Sequence, residues 1–191
     1  MENIIIQDIK SLINFIKDGH QPTYLFFWGH RARKDGLIGK QCLSQWWPSS
    51  FIIGRISYSS AEQYLMAEKA LLFGDEEMRA KILLTSSPEE VKDLGRRING
   101  FDEDVWSNHR VNIALQANEA KFRQTDSLKK FLLETHEKVL VEASPVDIVW
   151  GIGLKESDPR ANDPHQWRRQ NLLGFTLMEI RSRLREGISG T

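Results

Sequence analysis

Apolar residues recur at helical spacing towards both ends of the chain. Near the start Ile9, Leu12, Ile13 and Ile16 share one face, which predicts an amphipathic helix that Gly19 ends, within a helical extension over residues 1–20. Towards the finish Leu173, Leu177, Ile180 and Leu184 follow at i, i+4, i+7 and i+11, predicting a last helix that begins at Gln170-Asn171. Between them local chemistry marks further helices. Ser60 stands ready to cap one, with Gln63 completing a capping box; Ser59 with Glu62 is the alternative frame. No proline or glycine interrupts Ala61 to Phe73, and Gly74 stands where a left-handed cap belongs. Ser87-Pro88-Glu89-Glu90 opens another helix, with Val91, Leu94 and Ile98 as its buried stripe. Asp102 opens a third, on which Trp106, His109, Ile113 and Ala120 lie near one face, and a fourth runs around Leu128 to Thr135 with Leu128, Phe131 and Leu132 apolar.

Elsewhere the period shortens. Tyr24 to Trp28 is aromatic and short, a buried strand leading into a polar, glycine-bearing loop from Gly29 to Gly39. Trp46-Trp47-Pro48 and Phe51-Ile52-Ile53 suggest another buried edge, and Lys138–Ala143 and Val146–Trp150 both read as strands. The expected fold is a helix-rich α+β domain with a small sheet, a single domain over residues 1–191, without the strand–helix alternation of a doubly wound nucleotide fold. Lys155 to Arg169 is a long polar loop of the sort kept for binding or as a lid, and the arginines at 181, 183 and 185 read as a solvated face.

Charge and composition narrow the function classes. With 26 basic and 26 acidic residues the formal charge is zero, which gives no footprint of a nonspecific polyanion binder. Cys42 is the one cysteine, so no internal disulfide forms and a reducing compartment is the simpler inference. The first residues lack the pattern of a secretory signal, and no apolar run approaches the ~20 residues of a membrane span. A cytoplasmic protein without a membrane partner is the expectation. The five histidines are scattered without ligand spacing, so neither a metal nor a cofactor is expected. Gly151-Ile152-Gly153 lacks the third glycine and the helix opening of a dinucleotide fingerprint; it indicates a tight backbone approach to a ligand.

The helix after Ser60 carries the most chemistry. Glu62, Met66 and Lys69 fall at i, i+4 and i+7, so a carboxylate and an amine share one face, about 10 Å apart at the backbone. Two readings are open on spacing alone: an exposed, solvated face, or two long side chains converging on one ligand. Trp106 is likewise either a core residue or one wall of a pocket.

The run Tyr58-Ser59-Ser60-Ala61-Glu62-Gln63-Tyr64, followed by Lys69-Ala70, resembles the signature helix of the NADAR family, also called YbiA-like proteins. Leu94-Gly95-Arg96-Arg97 with Trp106, then Ala120-Lys121-Phe122, then Asp147 to Leu154 with Gln170 to Gly174, resemble its later motifs in order, from about Tyr24 to about Arg185. The resemblance implies a YbiA-like α+β fold and hydrolysis of an N-glycosidic bond. Its substrates would be ribosylamino-pyrimidine phosphate intermediates of riboflavin synthesis. The alternatives are ADP-ribosyl-guanine in nucleic acid as substrate, or a noncatalytic sensor of ADP-ribose or NAD.

The resemblance also implies roles. Glu62 would lie beneath the anomeric carbon, Asp147 would be a second carboxylate, and Lys69 would pair with Glu62 or reach a ligand phosphate. Trp106 and Trp150 would stack on the base. His30, Arg31, Gly151, Gly153 and Asn171 would contact the ligand, a small ribosylated, nucleotide-like molecule. One departure stands out: part of the family has an acid directly after the Trp-Gly pair, where this chain has Ile152.

Overall fold

A computed structural model of the chain describes residues 6–189 and divides it into two compact units, one formed by Gln45–Lys129 and the other by the segments before and after it. Among the described residues it contains seven α-helices and four short strands, the helix-rich α+β class expected. The strands form two separate ladders of two.

In the inserted unit, α2 (Ala61–Leu72) is the central helix, with α3 (Glu76–Leu84), α4 (Pro88–Arg96) and α5 (Glu103–Gln124) packed on it. Buried residues run round most of its circumference, the signature of a helix enclosed by others. Ser60 caps it: its Oγ accepts the Gln63 N–H at 3.2 Å. The Gln63 carboxamide oxygen accepts not the N–H of the cap but that of Ser59, at 2.7 Å, while its NH2 group donates to the carbonyls of Ile82 and Thr85 at 3.1 and 2.6 Å. Gln63 therefore ties the start of α2 to the end of α3. Gly74 closes α2 with φ +71°, as its place in the sequence predicts. Ser87 caps α4 and Asp102 caps α5, and Val91, Leu94 and Ile98 are buried as expected.

On α5 the buried side is Trp106, Ala114, Ala117, Asn118, Lys121 and Phe122. His109, expected on that side, is exposed, its Nδ1 2.8 Å from the Val105 carbonyl. Two strands, β1 (Tyr24–Phe27) in the other unit and β2 (Phe51–Ile53) here, fall where aromatic and branched runs predicted them. The latter pairs antiparallel with β3 (Ile56–Tyr58), which its short, half-polar sequence did not announce. Gly54 and Arg55 join them with φ of +56° and +72°, the conformation a two-residue hairpin turn requires. Ile52 points to solvent, and the Gln124 carboxamide pairs with both its N–H and its C=O at 2.8 Å, covering the open edge.

In the other unit, β1 pairs in parallel with β4 (Val139–Glu142), in a register that sets Tyr24 against Val139 and Phe27 against Glu142. Helix α7 (Leu172–Ser189) packs on β4, burying Leu173, Leu177, Ile180 and Leu184. Helix α1 (Ile9–Lys17), opened by a reciprocal Asp8–Ser11 capping box, sends Leu12 into a core with Val139, Val141, Ile152, Leu154, Trp167 and Phe175. Helix α6 (Asp126–Glu134) contains the boundary between the two units.

Two expectations fail in this unit. Val146–Trp150 is no strand: Asp147 Oδ1 accepts the N–H groups of Val149 and Trp150 at 2.8 and 2.5 Å, and its own N–H donates to Ser144 Oγ, a local turn that outcompetes a ladder. Val146 and Ile148 are accordingly 75% and 71% exposed. The polar loop from Lys155 to Arg169 contains two short 3-10 turns, Pro159–Asn162 and Pro164–Gln166. Its buried Trp167 joins the core and donates from Nε1 to the Ala161 carbonyl at 2.8 Å. Arg181 is not on a solvated face: it is 4% exposed and donates to Thr135 Oγ1 and the Lys138 carbonyl at 2.8 and 2.9 Å. Burial pulls its guanidinium down to about 10.

Candidate active site

Within the inserted unit the two ends of the α2 face differ in exposure. Glu62, at the second position of α2, is only 3% exposed, so the solvated reading fails for it. Its N–H donates to the Gln45 carbonyl at 3.0 Å, and its place in the first turn gives the carboxylate the favourable end of the helix dipole. Two turns on, the Lys69 ammonium donates to the carbonyl of Gly95 at 2.9 Å. It lies over two aromatic rings, Phe101 at 4.1 Å and Trp106 at 5.6 Å from the centroids. Burial pushes Lys69 below the ordinary lysine range, while the negative charges of Glu103 and Glu62 work the other way. Trp106 is buried in the second turn of α5.

Glu62, Lys69 and Trp106 all lie in this unit. Three neighbours went unread: Gly95, Phe101 and Glu103. A glycine inside a capped helix was the available signal for the first. A Cβ at position 95 would stand 2.1 Å from Met66 Sδ, so the α4 backbone approaches α2 just between Glu62 and Lys69. Glu103 also receives Arg110 Nη1 at 3.1 Å, which shares its charge between two cations.

The remaining candidates belong to the other unit. His30 and Arg31 follow β1, and Asp147 and Trp150 follow β4, so both segments leave the same, carboxyl end of a parallel ladder, the end at which α/β proteins place ligands. His30 is half-buried and Arg31 exposed. Asp147 binds the backbone of Trp150, whose indole is buried. Gly151 makes its tight approach to the chain itself: a Cβ there would meet the Glu142 carbonyl at 2.6 Å. Gly153 has φ +72° and lies against Arg168. Asn171 is fully buried in the left-handed region at φ +53°; its Oδ1 accepts the Glu142 N–H at 3.0 Å and its Nδ2 donates to the Leu140 carbonyl at 2.9 Å. That carboxamide is committed to β4, as Gln124 is to β2. Ile152, at the position of the family's acid, is wholly within the apolar core.

Among the described residues no group of three or more histidine, cysteine or acidic side chains could hold a metal ion, and no helix is long and apolar enough to cross a membrane.

A helix-rich α+β protein with a buried carboxylate and a half-buried lysine on one helix face, the lysine beside a buried indole, is the class defined by these features. The NADAR domain matches residues 26–185, and the chain belongs to that family. It is 44% identical over 163 residues to an N-glycosidase of Acanthamoeba polyphaga mimivirus, across 83% of this chain and 94% of the relative. It is 33% identical over 135 residues to the chloroplastic riboflavin biosynthesis protein PYRR of Zea mays, covering 67% of this chain but only 20% of that protein. The NMR structure of the E. coli protein YbiA superposes with a TM-score of 0.69 at 25% identity, covering 90% of each chain.

Proposed function

We propose that the chain hydrolyses the bond between a ribose C1 and a base or amine nitrogen, with a ribosylamino-pyrimidine phosphate as substrate and Glu62 as the group that stabilises the reacting sugar. The class itself, a hydrolase of N-glycosyl bonds, follows from membership of the NADAR family and from the N-glycosidase relative that it matches nearly end to end. The pyrimidine reading draws support from the likeness to the maize riboflavin protein.

One observation carries the assignment of the chemistry: a carboxylate on the first turn of an enclosed helix, 3% exposed, with an ammonium on the same helix face. As the C–N bond lengthens, its electron pair leaves with nitrogen and positive charge builds on C1 and the ring oxygen. A fixed negative charge there stabilises the transition state more than the ground state, and exclusion of water strengthens it. Water then adds its oxygen to C1 and yields a proton to the carboxylate, which passes it to the departing nitrogen, so that ribose and free base leave and the carboxylate is restored. Lys69, held as a donor, serves the leaving group or the substrate phosphate. Trp106 supplies an apolar wall against the base. Asp147, occupied by the backbone of Trp150, acts in its own unit by fixing that indole.

The test is release of free base from three probes offered separately: a ribosylaminopyrimidine phosphate, ADP-ribosylated guanine DNA and NAD. Release from the first, abolished by Glu62→Gln, is the expected result. Release from the guanine adduct alone would move the substrate to nucleic acid, and binding without release of any base would make the chain a sensor.

A further inference from the structure

Two groups that play no part in the proposed chemistry hold the Lys69 ammonium. The Gly95 carbonyl lies in the last turn of α4, where carbonyls lack an intrahelical partner and the negative end of the helix dipole falls, and it accepts from Lys69 at 2.9 Å. The Phe101 ring lies 4.1 Å from the same nitrogen, closer than Trp106. Phe101 remains 44% exposed.

That placement is enforced from behind. Phe73, the residue capping α2, meets the Phe101 ring in a T-shaped contact at 5.4 Å. Two residues earlier, the Asn99 N–H and carboxamide both donate to Asp75 Oδ2 at 2.9 Å, and Asp75 Oδ1 also caps α3 through Met78. The turn bearing Phe101 is thereby anchored to the junction of α2 and α3. A ring engaged by a cation and by a second ring is a poor platform for a base, whereas a lysine on a four-carbon stem has much rotational freedom to lose.

We propose that Phe101 is a positioning residue: its ring keeps the Lys69 ammonium on the Gly95 carbonyl, so that Lys69 meets the ribosyl substrate in one fixed geometry. The proposal rests on the reading of Lys69 as a group that touches substrate.

The experiment compares the wild-type chain with Phe101→Leu, Phe101→Tyr, Lys69→Met and the Phe101→Leu/Lys69→Met double variant. By NMR, the Lys69 ε-methylene protons of the wild type are expected to be shifted upfield by the two rings; Phe101→Leu reduces that shift to the part due to Trp106, and Phe101→Tyr preserves it. With a ribosylaminopyrimidine phosphate as substrate, Phe101→Leu lowers kcat/KM about two- to fivefold, the scale of one cation–π contact, and Phe101→Tyr restores it. In the Lys69→Met background Phe101→Leu costs nothing further. An unmoved Lys69 resonance in Phe101→Leu, or an equal loss of activity in both backgrounds, overturns the proposal. A fully active Lys69→Met, with the shift still reduced in Phe101→Leu, overturns instead the reading of Lys69 and supports the clamp.

Discussion

Met66 occupies the space that a side chain at position 95 would need: a Cβ on Gly95 would lie 2.1 Å from its Sδ and 2.8 Å from its Cγ. Met66 stands between Glu62 and Lys69 on α2, so this contact sets how closely the α4 backbone approaches the two candidate catalytic groups. Gly95→Ala is expected to destabilise the fold by about 1–3 kcal/mol, the usual cost of overpacking, and to weaken activity by moving the carbonyl that Lys69 uses. Urea denaturation of Gly95→Ala and of Gly95→Ala/Met66→Ala checks this, because the double variant regains room and should show strong coupling.

Asn171 separates a structural from a ligand-binding role. Its buried carboxamide donates to Leu140 and accepts from Glu142, in a left-handed conformation that asparagine tolerates. Asn171→Asp keeps the acceptor and loses the donor, setting a carboxylate against the Leu140 carbonyl. A loss of about 1–3 kcal/mol in thermal or urea unfolding is expected, with KM little changed. A KM raised at unaltered stability would return Asn171 to the ligand.

Arg181 is the corresponding case for a buried cation. Arg181→Met leaves the Lys138 carbonyl and the Thr135 hydroxyl without this donor and is expected to cost about 1–3 kcal/mol in unfolding free energy. Stability equal to wild type would mean that the two bonds offset no more than the burial of the charge.

These results bear on what was legible in the sequence. The helices read well because their signals are local: Ser60, Ser87 and Asp102 cap where a short polar side chain precedes a helical period. Val146–Trp150 misled because its branched residues resemble a strand, while one carboxylate, Asp147, bends the backbone beneath them. Arg181 misled because its partners Thr135 and Lys138 come from a distant stretch of chain, and nothing local marks a charge as buried. At the candidate site the acid, the lysine and the indole were singled out by the family motifs, while spacing alone left a solvated face and a core residue open. Phe101 was not, since its contact with Lys69 arises only when the turn before α5 folds back on α2.

The alkaline side of the pH–activity profile reports on Lys69. Burial lowers its folded-state pKa, so the protonated amine is lost at lower pH than from an ordinary lysine. If the charged form serves the reaction, kcat/KM falls as pH rises through that lowered value, and Lys69→Arg moves the alkaline limb upward. A limb unmoved by Lys69→Arg would belong to another group. The stability sign is separate: a cation whose folded pKa is depressed opposes folding at neutral pH, and that opposition fades as pH rises past its folded value.

On the proposed mechanism the buried carboxylate of Glu62 stabilises the sugar as its bond to nitrogen breaks. Single-turnover release of base from a ribosylaminopyrimidine phosphate by Glu62→Gln tests it most directly, since the change preserves shape and removes charge. A fall in the chemical step of about a hundredfold or more, with folding stability retained, is the expected result. Turnover within a few-fold of wild type would contradict it.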